Sequence, residues 1–183
     1  MAKMNCYMND YDDQIVRLMD TYLRYRGIDK VLGKSISRNA FESLEKIGLE
    51  AVIAVAQKML THSEAELRCQ GAEMLLLHTP DSGLPAVILL LQDTHSGVRS
   101  FVCGLIHDFG DERAANPIID LLLREQDGTV RHHAAYALGA VGTADKIPVI
   151  TEIAEKETAV DWEGRSVQQE LHEAVARIAS RCK

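Results

Sequence analysis

Several residues in this chain could do chemistry. Thr-His-Ser occurs twice, centred on His62 and His95, and a hydroxyl beside an imidazole is raw material for a nucleophile and its base. His132 and His133 adjoin, while His107-Asp108 and His172-Glu173 set imidazole beside carboxylate, the donor types that divalent metals take. None of these sets is completed by its spacing. The Thr-His-Ser pairs bring no third orienting group and no oxyanion donor, and Ser63 and Ser96 stand where helix caps are needed. Cys6, Cys69, Cys103 and Cys182 are scattered, without the paired spacing of a zinc site or a redox dithiol, and read as reduced cytosolic thiols. No catalytic residue, metal or cofactor is expected, and the chain reads as non-enzymatic.

The elements that must hold these residues recur. Arg68, Arg99 and Arg131 stand 31 and 32 residues apart, each after an aliphatic residue, Leu67, Val98 or Val130. Seven positions after each arginine come Leu75, Ile106 and Leu138, and four further on Thr79, Gly110 and Gly142. Pro85, Pro117 and Pro148 repeat at 32 and 31, each followed by an aliphatic run. Four features on one period identify an internal repeat.

Each unit reads as two antiparallel helices, the first bearing the arginine and the second the proline. Val130, Ala134, Ala135, Leu138 and Val141 fall on one face of a 3.6-residue period, and Gly142 is expected to end that helix in left-handed backbone. The second helix opens near Thr143 with Pro148 close to its start, where a missing N–H costs little. Its buried stripe is Ile147, Ile150, Ile153 and Ala154. "SEAE" at 63–66 and "SVQQ" at 166–169 fit capping boxes. Residues 37–60 read as a divergent first repeat without the proline, with Leu44 and Gly48 in register. Such hairpins cannot bury their apolar faces alone and must stack. The expected fold is all-α, a solenoid of about four helical hairpins in a single domain, 1–183. Its parts are an N-terminal helical cap in 1–34 (a helix over 10–26), repeats over 35–160, and a C-terminal capping helix in 161–183. That last helix faces the stack through Val167, Leu171, Ala174, Val175 and Ile178.

Composition agrees. Aromatic residues make up 5% of the chain, which favours closely packed helices over a sheet-based core. The formal charge is −7 with no Lys/Arg cluster, against a groove that tracks phosphates or an anionic membrane surface. The net field attracts a basic partner instead. "AVILLLQ" at 86–92 is far too short to span a bilayer, and the start of the chain has no secretory pattern, so a cytoplasmic location is expected.

At "VRHHAAYALGAVG", led in by Asp127, the chain resembles a HEAT-like repeat, and more narrowly the short bacterial repeats of the phycobilin lyase type. The resemblance covers about residues 63–155. It implies a right-handed curved stack whose second, proline-bearing helices line the concave surface. Proteins of this type include chromophore lyases, a di-iron hydroxylase, DNA glycosylase relatives and plain adaptors, so the fold does not choose a role. The hydroxylase type carries His-Glu directly after the arginine in several repeats. Here those pairs are Cys69-Gln70, Ser100-Phe101 and His132-His133, which makes a metal-dependent hydroxylase the least favoured reading.

Arg68, Arg99 and Arg131, together with Asp127, read as structural: a planar guanidinium can tie one repeat to the next through carboxylates or carbonyls at the turns. Trp162, the one tryptophan, sits in the charged loop "DWEGR". It is a candidate binding anchor, although packing over the end of the stack is slightly favoured. Phe101 lies off the apolar stripe and is the second candidate. The polar positions of the second helices, Gln57, Lys58, Gln92, Asp120, Arg124, Glu152 and Glu155, form the expected concave lining. The function that follows is a protein-binding scaffold or adaptor holding a partner with a basic surface, an inhibitor or immunity-type binder being one case. The alternative is a phycobilin lyase-type chromophore chaperone or lyase, with Asp120 and Arg124 serving a bilin. Nucleic acid is disfavoured by the charge.

Overall fold

A computed structural model of the chain describes residues 46–181, together with residues 17, 21, 42 and 43. The helix expected over 10–26, apart from Arg17 and Thr21, and most of the first half of the divergent repeat lie outside the described residues. Eight α-helices follow in order: α1 (Leu49–Met59), α2 (Ala65–His78), α3 (Pro80–Ile88), α4 (Ser96–Phe109), α5 (Ala115–Arg124), α6 (Gly128–Val141), α7 (Ile147–Lys156) and α8 (Val167–Arg181). Short 3-10 turns extend α3 and precede α5 and α7. Among the described residues the sole β feature is an isolated bridge between Val160 and Ser166. The fold is an all-α solenoid.

The hairpins are paired one helix out of step with the sequence reading. Each proline-type helix packs on the arginine-type helix that follows it: α1 on α2, α3 through its 3-10 extension on α4, α5 on α6, α7 on α8; α3 alone also packs on the arginine helix before it, α2. Among the described residues this makes four hairpins. The helix expected as a separate C-terminal cap, α8, is therefore the second member of the last hairpin, and it also closes the row. Along the row, α2, α4, α6 and α8 pack directly on one another, whereas α3, α5 and α7 scarcely meet. A row with one layer spaced more closely than the other bends toward the close layer. The arginine-bearing helices thus form the inner face, and the expected concave lining on the proline-bearing helices is corrected to an outer one.

Side-chain size accounts for the difference. The arginine helices meet through small residues such as Ala134, Ala135, Ala137 and Ala174, all buried, while the outer layer fills its space with Ile118, Leu121, Leu122 and Ile150. Each of these large aliphatics contributes about 1.5–3 kcal/mol by leaving water. Gly142 does not end α6 in left-handed backbone, since its φ is −67°. It is required for room: a Cβ there would stand 2.5 Å from Ile178 Cδ1 and 2.7 Å from the Leu138 carbonyl. Pro85, inside α3, withholds the N–H that Asp81 O would accept four residues earlier. Arg113 from the next repeat donates to that carbonyl instead, at 3.0 Å.

The turns are held by one repeated device. Arg68 grips both oxygens of Asp93 through Nε and Nη2, at 2.6 and 2.7 Å. Arg99 grips Glu125 in the same way, at 2.6 and 2.9 Å, and Arg131 grips Glu157. The remaining nitrogen of each guanidinium reaches back six residues to a backbone carbonyl: His62 O at 2.7 Å, Asp93 O at 2.8 Å and Glu125 O at 2.7 Å. Asp93 and Glu125 therefore serve two arginines each, one with the side chain and the next with the main chain. Asp127 is not one of these partners. It is the N-cap of α6, accepting from Thr129 N and Val130 N at 2.9 and 3.2 Å. In α8 Gln168 takes the arginine's place and donates to Ala154 O at 2.9 Å.

Burial alone would raise the pKa of Asp93, Glu125 and Glu157, but the arginine and turn N–H groups outweigh it and hold all three below the ordinary carboxylate range. The stability they contribute is fully present above that range, about pH 4, and is lost as pH falls through their depressed folded values. Two outcomes are expected. Arg99→Ala, which strands the Glu125 carboxylate (6% exposed), lowers urea-measured stability by about 3 kcal/mol. Glu125→Gln is less stable at pH 7 but loses less stability than the parent between about pH 5 and pH 2, checked by urea titrations across that range.

Candidate functional site on the inner face

Counting from each ladder arginine, positions one, two, five, eight and nine form one strip of the arginine helix, on which His132 and Gly139 are buried and the other residues named below are partly or fully exposed. On α4 these are Ser100, Phe101, Gly104, His107 and Asp108; on α6, His132, His133, Tyr136, Gly139 and Ala140. On α8, with Gln168 as the origin, the strip carries Glu170, Glu173 and Arg177. Residues three and four apart on a helix share one side, so the three strips lie next to each other and make one polar and aromatic surface.

Contacts knit it together. The His107 ring stacks on Tyr136 with centroids 4.0 Å apart and planes 15° apart. From the other side, the Arg177 guanidinium stands 5.4 Å from the Tyr136 centroid, within cation–π range. Gly139 makes this crossing possible, because a Cβ there would lie 2.3 Å from Arg177 Nε. Arg177 also pairs with Glu170 and, at 3.7 Å, with Glu173. His132 Nε2 is 3.7 Å from Glu170 Oε2, while its Nδ1 is buried without a hydrogen-bond partner among the described residues. His107 Nδ1 meets Asp108 Oδ1 at 2.8 Å.

Ser100 Oγ and His133 Nδ1 are 2.5 Å apart. Burial first, then neighbouring His132 and Arg165, hold the His133 imidazole below its usual pKa and so neutral. An orienting acid would complete a catalytic group, but the nearby carboxylate, Asp161, already accepts from Glu163 N, Arg165 N and Arg165 Nε. The pair ties α4 to α6. The two Thr-His-Ser motifs hold the turns before α2 and α4 through their imidazoles. His62 Nδ1 accepts from Glu64 N and His95 Nδ1 from Gly97 N, each at 3.1 Å. The His95 imidazole therefore does the work assigned to Ser96, because the extended N-cap position of α4 falls on His95; on α2 the N-cap position is Glu64, without a side-chain cap, and His62 holds the N–H of that residue. Ser166 does cap α8, accepting from Gln169 N at 3.2 Å. Among the described residues no three His, Cys, Asp or Glu side chains are placed to hold a metal ion. Burial pushes the Cys103 thiol up to about 12 and raises that of Cys69, which makes both poor nucleophiles.

Of the residues singled out from sequence, Phe101 is on the inner face and 39% exposed. Asp120, Arg124, Glu152 and Glu155 are exposed but sit on the outer helices. Asp120 and Arg124 do not converge on a ligand: Arg124 donates to Leu91 O at 3.1 Å. Glu152 pairs with Lys156 at 2.6 Å. Trp162 does not pack over the stack; it is 76% exposed. Tyr136, Gly104, Glu170 and Arg177 were not distinguishable by motif. The available signal was the small-residue content of "RHHAAYALGA", which marks the closer-packed layer and hence the inner face.

Residues 84–171 match the family model for HEAT repeats. No curated protein matches the chain. Among solved structures, a crystal structure of an engineered protein from the Northeast Structural Genomics Consortium is similar at 22% identity and a TM-score of 0.51, covering 98% of this chain and 85% of its own. At that identity the likeness concerns the fold. No helix among the described residues is long and apolar enough to cross a membrane.

Gly139→Ala tests the cross-helix arrangement. The clash falls on the far end of a flexible side chain, so stability should stay within about 1 kcal/mol of the parent, helped by alanine's helix propensity. The ring-current shift that Tyr136 imposes on the Arg177 side-chain protons should disappear, as read by NMR.

Proposed function

We propose, on the premise that the chain is a HEAT-like repeat protein, that it is a protein-binding scaffold and holds its partner against the inner face of α4, α6 and α8. Proteins built on this repeat serve generally as interaction scaffolds, and the reading places that role on named residues. The observation that carries it is Gly104. A glycine inside a helix costs about 0.5–1 kcal/mol relative to alanine. Yet no atom outside the local helix lies within 4 Å of where its Cβ would be. The chain's own packing gives no reason for it, whereas the close approach of another backbone would. Phe101 and His107 flank it one turn to either side, and Tyr136, 40% exposed, occupies the equivalent position on the next repeat.

Charge supports a partner with a basic surface. Glu73, Asp108 and Glu173 are exposed on the inner strips, and the strips' one arginine described above, Arg177, is engaged with Glu170 and Tyr136. Together with a net charge of −7, this would speed encounter with a cationic protein and make the rate fall with salt. An inhibitor or immunity-type binder is one case of such a scaffold.

Gly104→Ala separates this role from a purely architectural one. The variant should be more stable by about 0.5–1 kcal/mol, because a Cβ has room there, and should bind its partner at least about tenfold more weakly. Phe101→Ala should weaken binding with little change in melting temperature. Melting curves and titration calorimetry with the captured partner decide it; unaltered binding by both variants would remove the inner face from consideration.

A further inference from the structure

The loop between α7 and α8 breaks the repeat: it shares Glu157 with the ladder, but the bonds that shape its tip are its own. At its base the Glu157 carboxylate, already gripped by Arg131, accepts from Thr158 N and Ala159 N at 3.0 and 2.8 Å. Val167 N returns to Ala159 O at 3.1 Å, Asp161 N donates to Arg165 O and Gly164 N to Asp161 O, both at 3.0 Å. Gly164 takes a φ of +81°, a value that favours glycine. At the centre the Asp161 side chain, 0% exposed, accepts from two backbone N–H groups and from Arg165. The loop then sits on the start of α6. Trp162 N donates to Thr129 Oγ1 at 3.3 Å, and Gly128 leaves space that a Cβ would close, 1.9 Å from Val160 O.

The Asp161 carboxylate at the centre of the turn points inward, while Trp162 and Val160 stand outward among the exposed Glu163 and Arg165. Trp162 is 76% exposed and Val160 54%. Burying a carboxylate to fix a ten-residue loop does not stabilise the chain through the indole, which touches solvent. It does remove the ordering cost that a mobile tryptophan would incur on binding. The loop also rests on α6, the inner-face helix that carries His133 and Tyr136.

We infer that Trp162 is a preorganised anchor that enters an apolar pocket on the same protein partner that covers the inner face, a pocket rimmed by lysine or arginine. The inference rests on the inner-face reading given above. The rim follows from charge: Glu163, next to Trp162 in the chain, and Asp127, two residues before the Thr129 that Trp162 N donates to, are exposed acids. The loop's one cation, Arg165, is taken up by Asp161 and Glu163 at 2.6 and 3.1 Å. A pocket with a positive rim complements that arrangement.

The full chain carrying the photo-crosslinker p-benzoylphenylalanine in place of Trp162, and separately in place of Phe101, is irradiated in native lysate and the crosslinked peptides are sequenced. Both positions should capture the same protein, with position 162 on an apolar segment containing Lys or Arg. With that partner purified, Trp162→Ala should weaken binding at least about tenfold at an unchanged melting temperature. Asp161→Ala, which keeps the indole but frees the loop, should weaken it as well, measured well below that variant's own melting temperature. The emission of the single tryptophan should move to the blue on mixing. Capture from position 101 alone, with Trp162→Ala binding normally, overturns this inference and leaves the inner-face reading standing. Capture at 162 of a second copy of this chain, of nucleic acid or of lipid overturns it too. Different proteins at the two positions, or capture at 162 alone, overturn the shared partner. No capture at either position overturns both readings.

Discussion

One constraint organises the molecule: the turns at Asp93 and Glu125 must each satisfy the arginine behind them and the arginine ahead of them at once. Asp93 gives its carboxylate to Arg68 and its carbonyl to Arg99; Glu125 does the same for Arg99 and Arg131. Such bidentate pairs fix angle as well as distance. Because each acid belongs to two bonds, the orientation of one hairpin is passed to the next. A simple apolar stack would hold the hairpins together but would leave their rotation about the stacking axis loosely defined. The ladder supplies that missing degree of order, and it does so at the turns, away from the inner face.

This division keeps the ladder off the inner face, whose residues are then free to differ from repeat to repeat. The arginine helices approach one another through alanine and glycine, so the curvature arises from small residues, and the polar strip between them adds its own cross-helix ties, Ser100–His133 and His107–Tyr136 among them. Where the repeats are alike they build; where they differ they carry individual chemistry. Position five after the ladder arginine is Glu73, Gly104 and Tyr136 in successive repeats, and position two is Gln70, Phe101 and His133. A scaffold with a fixed frame and a variable strip can present a specific surface without a pocket.

The period, the alternation of two helix types and the identity of the buried stripes were readable in the chain, because Arg68, Arg99 and Arg131 and the three prolines repeat in phase with the apolar pattern; which helices pair into a hairpin was not. Which layer faces inward was not either. Periodicity tells which side of a helix is buried, but the side toward which a stack bends depends on how closely each layer packs, a property of side-chain volume summed over several helices. The same gap explains why Asp127 was grouped with the arginines. Sequence proximity suggested it, yet the capping position at the start of α6 has first claim on an aspartate side chain, and the longer reach of Glu125 and Glu157 suits the guanidinium. Tyr136 was hidden for another reason: its meaning comes from His107 and Arg177, one from the preceding repeat and one from the following.

The connection from α7 to α8 shows how the regular and irregular parts are joined. The other arginine helices begin within five residues of the preceding helical turn, and α8 alone follows a long connection. Had that loop been an unstructured insertion, the ladder would have ended at Glu125. Instead Glu157 holds Arg131 with one oxygen and the first two N–H groups of the loop with the other. The last rung of the frame is therefore also the foundation of the tryptophan turn, and weakening that rung would loosen both the final repeat and the presentation of the indole. A chain that needed only a terminal cap could have used a short turn like those before it. A rigid, acidic, tryptophan-bearing turn built on the ladder is what a surface for another protein requires.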